Sequence, residues 1–246
     1  MMRRKAELWL WPVCALSLAL GIAVGGWAIG RGFVEARSGD RVVSVKGLAE
    51  RDVRSDLAVW PLRFVAAGDV LAEVRAEIER AEGAVRRFLA DHALDGEAVR
   101  TASVEVTDMQ ARTWQSGPVA SRFIVTMTLM VRTGDVDAVV GAEAEMGALL
   151  QAGVVLDSER GPQRPAYLFT RLVDLKEEML ALATTRAREA AVQFARASGS
   201  TVGPIKRAQQ GVFQILPRDP VPGAAAEDQV AKTVRVVSTV DYVLLD

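Results

Sequence analysis

Apolar residues follow three rhythms along this chain: one unbroken run near the start, alternation over several segments, and recurrence at every third or fourth position over three others. The unbroken run, Leu8 to Gly30, carries no charge and follows Arg3, Arg4 and Lys5. As a helix it would reach roughly 34 Å at 1.5 Å per residue, against a bilayer core of about 30 Å. The basic tip, residues 1–7, is expected to stay in the cytoplasm and send the rest of the chain outward. Two readings stay open. One is an uncleaved transmembrane signal-anchor over 8–30, single-pass in the inner membrane. The other is a signal peptide removed at Ala28-Ile29-Gly30, which would leave a periplasmic or secreted protein. The run is longer than the ~7–15 apolar residues of a signal peptide, which favours the anchor. A buried core helix would show a polar face, and this run has none. Gly21, Gly25 and Gly26 are spaced for close packing between membrane helices, though small residues are common in such helices anyway.

A polar linker at 31–40 leads into the segment 41–246, where alternation takes over. Arg41–Glu50 reads as a strand with Val43, Val45 and Gly47 on one face. A second strand, about 52–66, sets Ala58, Trp60, Leu62 and Phe64 against Leu57, Val59, Pro61 and Arg63. Pro61 cannot donate to a ladder, so the position is an edge or a bulge. Asp69 is placed to cap a helix to about Asp91, whose stripe is Val74, Ile78, Ala81, Val85 and Phe88/Leu89. Its charged face, with pairs such as Glu82–Arg86, reads as solvated. Strands at 99–113 and 120–133, joined by Gln115-Ser116-Gly117-Pro118, predict a long hairpin, the second strand setting Phe123, Val125, Met127, Leu129 and Val131 against Arg122, Ile124, Thr126, Thr128 and Met130. A helix from Asp135 to about Leu150 and a strand at 153–160 follow.

The loop 161–165 introduces the longest amphipathic segment. Its expected apolar side is Leu172, Leu175, Met179, Leu182/Ala183, Ala190, Phe194 and Ala197, with Ala187, Ala191 and Ala195 as a small-residue flank that lets another backbone come close. Ser198-Gly199 supplies a stop. A strand at 202–216, a Pro- and Ala-rich loop at 217–228 expected to be mobile, and a strand at 230–245 close the chain. The last strand places Val234, Val236, Ser238, Val240, Tyr242 and Leu244 on one face. The expected fold is α+β: antiparallel sheets, a β-α-β-β-α-β unit of the ferredoxin-like split kind, then a long helix and a C-terminal β-hairpin. A transmembrane helix precedes the whole.

Composition narrows the chemistry. The net charge is −1, so no global basic field draws nucleic acid. Cys14 is the only cysteine and lies inside the apolar run, where it reads as a small apolar residue. His92 is the only histidine and sits at a helix end, a capping place. With one His and no Cys in the exported part, Cys/His pairs, His-Glu-x-x-His zinc sites and Ser-His-Asp triads are excluded. Glu177 and Glu178 fall on an exposed helix face. Asp52, Asp56, Asp108 and Asp241 are the acids that the fold could bring together, and Trp60 and Trp114 the aromatics that could floor a pocket. No residue is assigned to catalysis, to a cofactor or to a metal.

Val43-Ser44-Val45-Lys46-Gly47 with Ala49-Glu50, Leu175-Lys176, Ala183-Thr184, Ala187-Arg188, Ala190, Ser198-Gly199 and Val202-Gly203 form an ordered set. Gln210-Gly211-Val212-Phe213-Gln214-Ile215, Val234-Arg235-Val236 and Val240-Asp241-Tyr242 complete it. In this order they resemble the SIMPL-domain family of bacterial exported proteins, over about residues 41–246. The resemblance implies an α+β domain in the periplasm or envelope, no established catalytic residues, and a connection with stress tolerance. Family members commonly carry a cleavable signal peptide, from which the longer run here departs. The leading expectation is a non-enzymatic, membrane-tethered envelope protein whose domain forms homo-oligomers, since long strands with an open edge invite pairing. The alternative is a periplasmic module that binds a peptide or small molecule. A hydrolase using carboxylates or a metal held by them ranks third.

Overall fold

The computed structural model describes residues 18–32, 41–111, 120–157 and 163–246. Residues 18–32 form α1, which extends two residues into the expected linker. Its Leu18, Leu20, Ile22, Val24, Trp27 and Ile29 are all exposed. Residues 8–17 of the expected span, Cys14 among them, and 33–40 of the linker lie outside the described residues. Among the described residues no helix is long and apolar enough to cross a membrane. The chain divides into two compact units. One comprises Met1–Ala49, Leu180–Val212 and Val237–Asp246; the other comprises Glu50–Met179 and Phe213–Val236.

The second unit contains β2 (Leu57–Gly68), α2 (Leu71–Asp91), β3 (Val99–Asp108), β4 (Phe123–Thr133), α3 (Val136–Ala144), α4 (Gly147–Gln151) and β5 (Ala166–Leu168). The sheet order is β3-β4-β2-β5 with every pairing antiparallel, the order of a split β-α-β-β-α-β unit. Alternation placed the inward face correctly. Ala58, Trp60, Leu62, Phe64, Val125, Met127, Leu129 and Val131 are buried against Val74, Ile78, Val85, Phe88 and Leu89 of α2. This is the larger hydrophobic core, and burial of such side chains stabilises by roughly 1.5–3 kcal/mol each.

Pro61 lies inside the sheet, and its position is half open. β5 pairs only with Leu57–Val59. Beyond it Arg63, of the same strand parity as Pro61, exchanges hydrogen bonds with the side-chain amide of Gln163, donating at 2.6 Å and accepting at 2.6 Å. The missing N–H of Pro61 therefore faces the side where no strand runs.

Four local expectations fail. Asp69 does not cap α2: the N-cap is Val70, without a side-chain bond, and Asp69 accepts from the Arg122 backbone at 3.1 Å. The helix expected over 135–150 breaks at Glu145-Met146 into α3 and α4, although Asp135 does cap it, accepting from the Ala138 N–H at 3.0 Å. The strand expected at 153–160 is, among the described residues, one bridge from Leu156 to Phe64. Residues 166–168, expected after the loop 161–165 where the amphipathic segment begins, form β5 instead, because the edge of β2 offers them backbone partners.

The first unit is built on β1 (Val42–Arg54), β6 (Thr201–Gln210), β8 (Ala231–Leu245) and α5 (Leu172–Ala197). The strand order is β1-β8-β6, and β1, α5 and β8 each continue into the other unit. Val43, Val240 and Tyr242 form a small core with Ala187 and Ala191. Here the expected helix face holds in part: Met179 is buried, and the small-residue flank is the side that packs closely. Ala183, Ala187, Ala191 and Ala195 are buried, while Leu182 and Phe194 are exposed. The cause is Gly47 on β1. A Cβ built there would overlap the Ala183 carbonyl oxygen and lie 2.6 Å from the Ala187 nitrogen. Strand and helix touch backbone to backbone, which only the four-residue alanine row permits.

The strand expected over 202–216 is interrupted at Gly211, whose N–H donates to the Val237 carbonyl at 2.8 Å. It resumes in the second unit as β7 (Gln214–Pro217), paired with the first part of β8. The loop that follows is tied down rather than open. Gln229 and Asp219 exchange hydrogen bonds, and the Lys232 Nζ donates to the Ala226 and Gln229 carbonyls.

Three helices end in one motif. After α2, α4 and α5 the next-but-one residue is left-handed and the residue beyond it donates back to the third-last helical carbonyl: Leu94 to Leu89, Val154 to Leu149 and Ser200 to Ala195. The left-handed residue is Gly153 (φ 80°) and Gly199 (φ 68°) in two cases, but Ala93 (φ 59°) after α2. A Cβ in this conformation costs about 1–2 kcal/mol, partly offset by its stiffer unfolded chain. Ala93→Gly should thus raise stability by about 0.5–1 kcal/mol and Gly199→Ala lower it comparably, read from thermal unfolding. Gly47→Ala should cost more than the ~1–3 kcal/mol of ordinary core overpacking, read as a fall in the urea midpoint.

Candidate functional site

The side chains that could carry chemistry are occupied in holding the fold. His92 is the C-cap of α2. Its Nδ1 lies 2.8 Å from the Phe88 carbonyl and therefore carries the proton, its ring lies tilted against Phe88 with centroids 4.7 Å apart, and its Nε2 is 3.3 Å from Glu145. The capping expectation holds. Trp60 is fully buried and donates from Nε1 to the Gln163 carbonyl at 3.0 Å, so it floors no pocket. Trp114 lies outside the described residues. Glu177 and Glu178 are exposed, as expected, and Glu178 pairs with Arg51 at 2.6 Å.

The aspartates serve separate tasks. Asp52 accepts from the Thr233 hydroxyl at 2.7 Å. Asp56 takes both the N–H (2.6 Å) and the hydroxyl (2.8 Å) of Thr170, just before α5. Asp108 binds Arg122 at 3.2 Å, and that hydrogen bond holds its carboxyl below the usual carboxylate range. Asp56 adjoins Ala58 at one end of the split sheet, and Asp108 is level with Gly68 at the other. At ~3.3 Å per residue this separates them by about 33 Å. Asp241 lies opposite Arg207 in the other unit. Among the described residues no three His, Cys, Asp or Glu side chains gather as metal ligands.

Two buried ionisable groups escaped the sequence reading. Lys232 shares the inward parity of Val234 and Val236, a signal that was available in the alternation of β8. It is 2% exposed, and burial pulls its pKa down. Its ammonium donates to the Ala226 and Gln229 carbonyls, which close the 217–230 loop, a structural post rather than a nucleophile's setting. Tyr167 of β5 is buried and its hydroxyl donates to Glu143 at 2.8 Å. Burial first, then the Glu143 hydrogen bond and charge, push its pKa above the ordinary 10.0.

A cleft of about 500 Å³ in the second unit is lined by Asp52, Arg54, Arg218, Val230 and Ala231. Its cations are already paired, Arg54 with Asp137 and Arg218 with Asp219. The open feature of this unit is a strand edge. β3 ends the sheet order, and Val104 and Val106 lie opposite Met127 and Val125 on the helix-facing side. They are nevertheless 53% and 57% exposed, because α2 packs chiefly on β2 and β4 and meets β3 nearer its start, where Arg86 donates to the Thr101 hydroxyl at 3.1 Å.

The fold is a mixed one, with antiparallel sheets, helices and a long helix followed by a C-terminal strand hairpin. Residues 43–242 match the SIMPL family, described as protein of unknown function (DUF541), and the chain belongs to that family. No curated protein matches the chain. The residues that carried the resemblance explain themselves in the fold. Gly47 and Ala49 lie on β1, Ala183 and Ala187 in the row that meets it, Ser198-Gly199 in the stop of α5, and Gly203 and Gly211 against the backbone of β8. Gly47, Gly203 and Gly211 each mark a close backbone approach in this chain.

Tyr167 yields a pH test with a definite sign. A folded pKa above the unfolded one gives a contribution that is complete below about pH 10 and falls away as pH rises past it. Tyr167→Phe should cost about 1 kcal/mol near neutrality, one hydrogen bond's worth, and should flatten the alkaline loss relative to the parent in pH-dependent urea unfolding. Lys232 acts in the opposite sense as pH approaches its ordinary 10.5, and does so in both proteins.

Proposed function

We propose that this is a non-enzymatic envelope protein, held in the inner membrane by its N-terminal segment, whose exported SIMPL domain assembles with further copies of itself. The observation that carries the reading is the ten-residue β3, at the end of its sheet with two valines half exposed on its inner face. A long edge of this kind pairs readily with another strand. The tether is supported by the uncharged run 8–30 and by the exposed apolar side chains all round α1. A non-enzymatic role is supported by the structural employment of His92, Asp52, Asp56, Asp108 and Lys232. A place in envelope stress tolerance rests on the family resemblance alone. The second reading, capture of a peptide from another periplasmic protein, draws on the same edge.

The full chain tests this in two steps. After alkaline extraction it should remain with the membrane pellet at intact mass; release at intact mass would contradict the tether, and release at reduced mass would indicate signal cleavage. Light scattering on the solubilised chain should give a mass above one copy at micromolar concentration. A strict monomer at high micromolar concentration would remove self-association and leave the peptide reading.

A further inference from the structure

We propose that a cleft between α2 and the end of α4 binds a small organic oxyanion, a carboxylate or a phosphate ester, with Arg80 and Arg87 as its donors. The cleft encloses about 590 Å³ and lies within the second unit. One wall is the stretch of α2 from Glu77 to Arg87, and the other is Ala152-Gly153, the turn that ends α4. It stands independently of self-association and gives this unit a ligand.

Its cations differ from those of the cleft at Arg54 and Arg218, which are spent on Asp137 and Asp219. α2 carries Arg75, Arg80, Arg86 and Arg87. Two are neutralised along the helix, Arg75 by Glu79 at 2.8 Å and Arg86 by Glu82 at 2.8 Å, each four residues away. The two that line the cleft have no carboxylate partner among the described residues. Small side chains occupy the places from which an acid would reach them: Ala76 and Ala84 flank Arg80, and Gly83 precedes Arg87. Asp91, four residues after Arg87, is in the weaker orientation for a helical pair and makes none with it. Arg80 spends only its Nε, on the Ala76 carbonyl at 3.3 Å. The Nη groups of both arginines are left for a ligand, in the planar fork that matches carboxylate and phosphate oxygens. Seven residues apart, the two share one helix face about 10 Å apart along the axis, so one ligand can reach both.

Gly83 lies between them, inside the helix, where glycine weakens the element relative to alanine. Neither conformation nor packing requires it. Its backbone is helical, and a Cβ would meet only the Arg87 Nη1, at 3.8 Å, an ordinary contact. The missing Cβ leaves the floor open beside that guanidinium, as glycine does where a ligand comes close to backbone. Ala81 and Ala84 continue the low floor.

The other lining groups narrow the ligand. Ala152 and Gly153 spend their N–H groups on the Ala148 and Leu150 carbonyls, both at 3.0 Å, so that wall offers carbonyl oxygen. Glu79 is taken by Arg75, while Glu77 has no partner among the described residues. Glu77 repels a ligand made of anionic groups alone and accepts from a hydroxyl or an amine. The ligand class is therefore an amino or hydroxy acid, or a phosphate ester with free hydroxyls.

The test titrates the full chain in detergent with glutamate and, separately, with glycerol phosphate, and follows its backbone amide resonances, with sodium chloride at matched ionic strength as reference. Saturable shifts at Gly83, Arg87 and Gly153 are expected with at least one probe, and the probe that acts identifies the oxyanion. Arg87→Gln should weaken binding by about tenfold, the loss of a charge-assisted pair. Gly83→Glu places an acid four residues before Arg87. It should abolish binding while raising the urea midpoint of the ligand-free chain, which separates loss of the site from loss of the fold. Arg86→Gln, on the same helix but outside the lining, should leave the titration unchanged. No saturable shift with either probe, shifts that chloride reproduces, or equal weakening by Arg86→Gln and Arg87→Gln would each overturn the site.

Discussion

β1 and α5 meet at Gly47 with no side chain between them, and the first unit depends on that contact. Helix and strand normally stand apart by the thickness of their side chains. Here the alanine row at 183, 187, 191 and 195 lets the α5 backbone descend onto the strand. Alanines bury little area each, so the contact contributes by placement more than by hydrophobic gain. It brings Val43, Val240 and Tyr242 around Ala187 and Ala191. It also sets Arg186 within 2.7 Å of the Leu48 carbonyl. A larger residue on either side would lift the helix and open this small core.

That contact also explains what the sequence could and could not disclose. Period-two alternation was legible wherever the inward residues were large: β2, β4 and β8 all bury the predicted face, because one face of each packs against a core. The face of α5 was legible in part. Met179, Ala183 and the flank Ala187, Ala191 and Ala195 are buried as expected, whereas Leu182 and Phe194, expected on the apolar side, are in solvent because a close approach selects by small volume. β5 was missed because three residues carry too little pattern, and its partner edge on β2 is created only in three dimensions. The break between α3 and α4 has a similar origin, since helical periodicity continues through Glu145 and Met146.

The candidate chemistry was partly legible. His92 at a helix end, and Glu177 and Glu178 on an outer face, could be assigned from position alone. Trp60 could not, because an inward tryptophan reads equally as core or pocket floor, and only its bond to the Gln163 carbonyl decides. Lys232 was overlooked because a lysine in a strand is ordinarily given to solvent. Several of the residues that carry the family resemblance, Gly47, Ala183, Ala187, Gly203 and Gly211, lie at close backbone contacts.

The claim that volume, and not hydrophobicity, governs the β1–α5 seam is tested most directly by a size series at Ala187, a fully buried position. Stability of the full chain would be measured by urea unfolding for Ala, Val and Leu at 187, with the same substitutions at exposed Arg188 as reference. The account predicts a stepwise loss from Ala to Val to Leu at 187, exceeding the change at 188 at each step. Stability that holds or rises with the larger apolar side chains at 187 would contradict it.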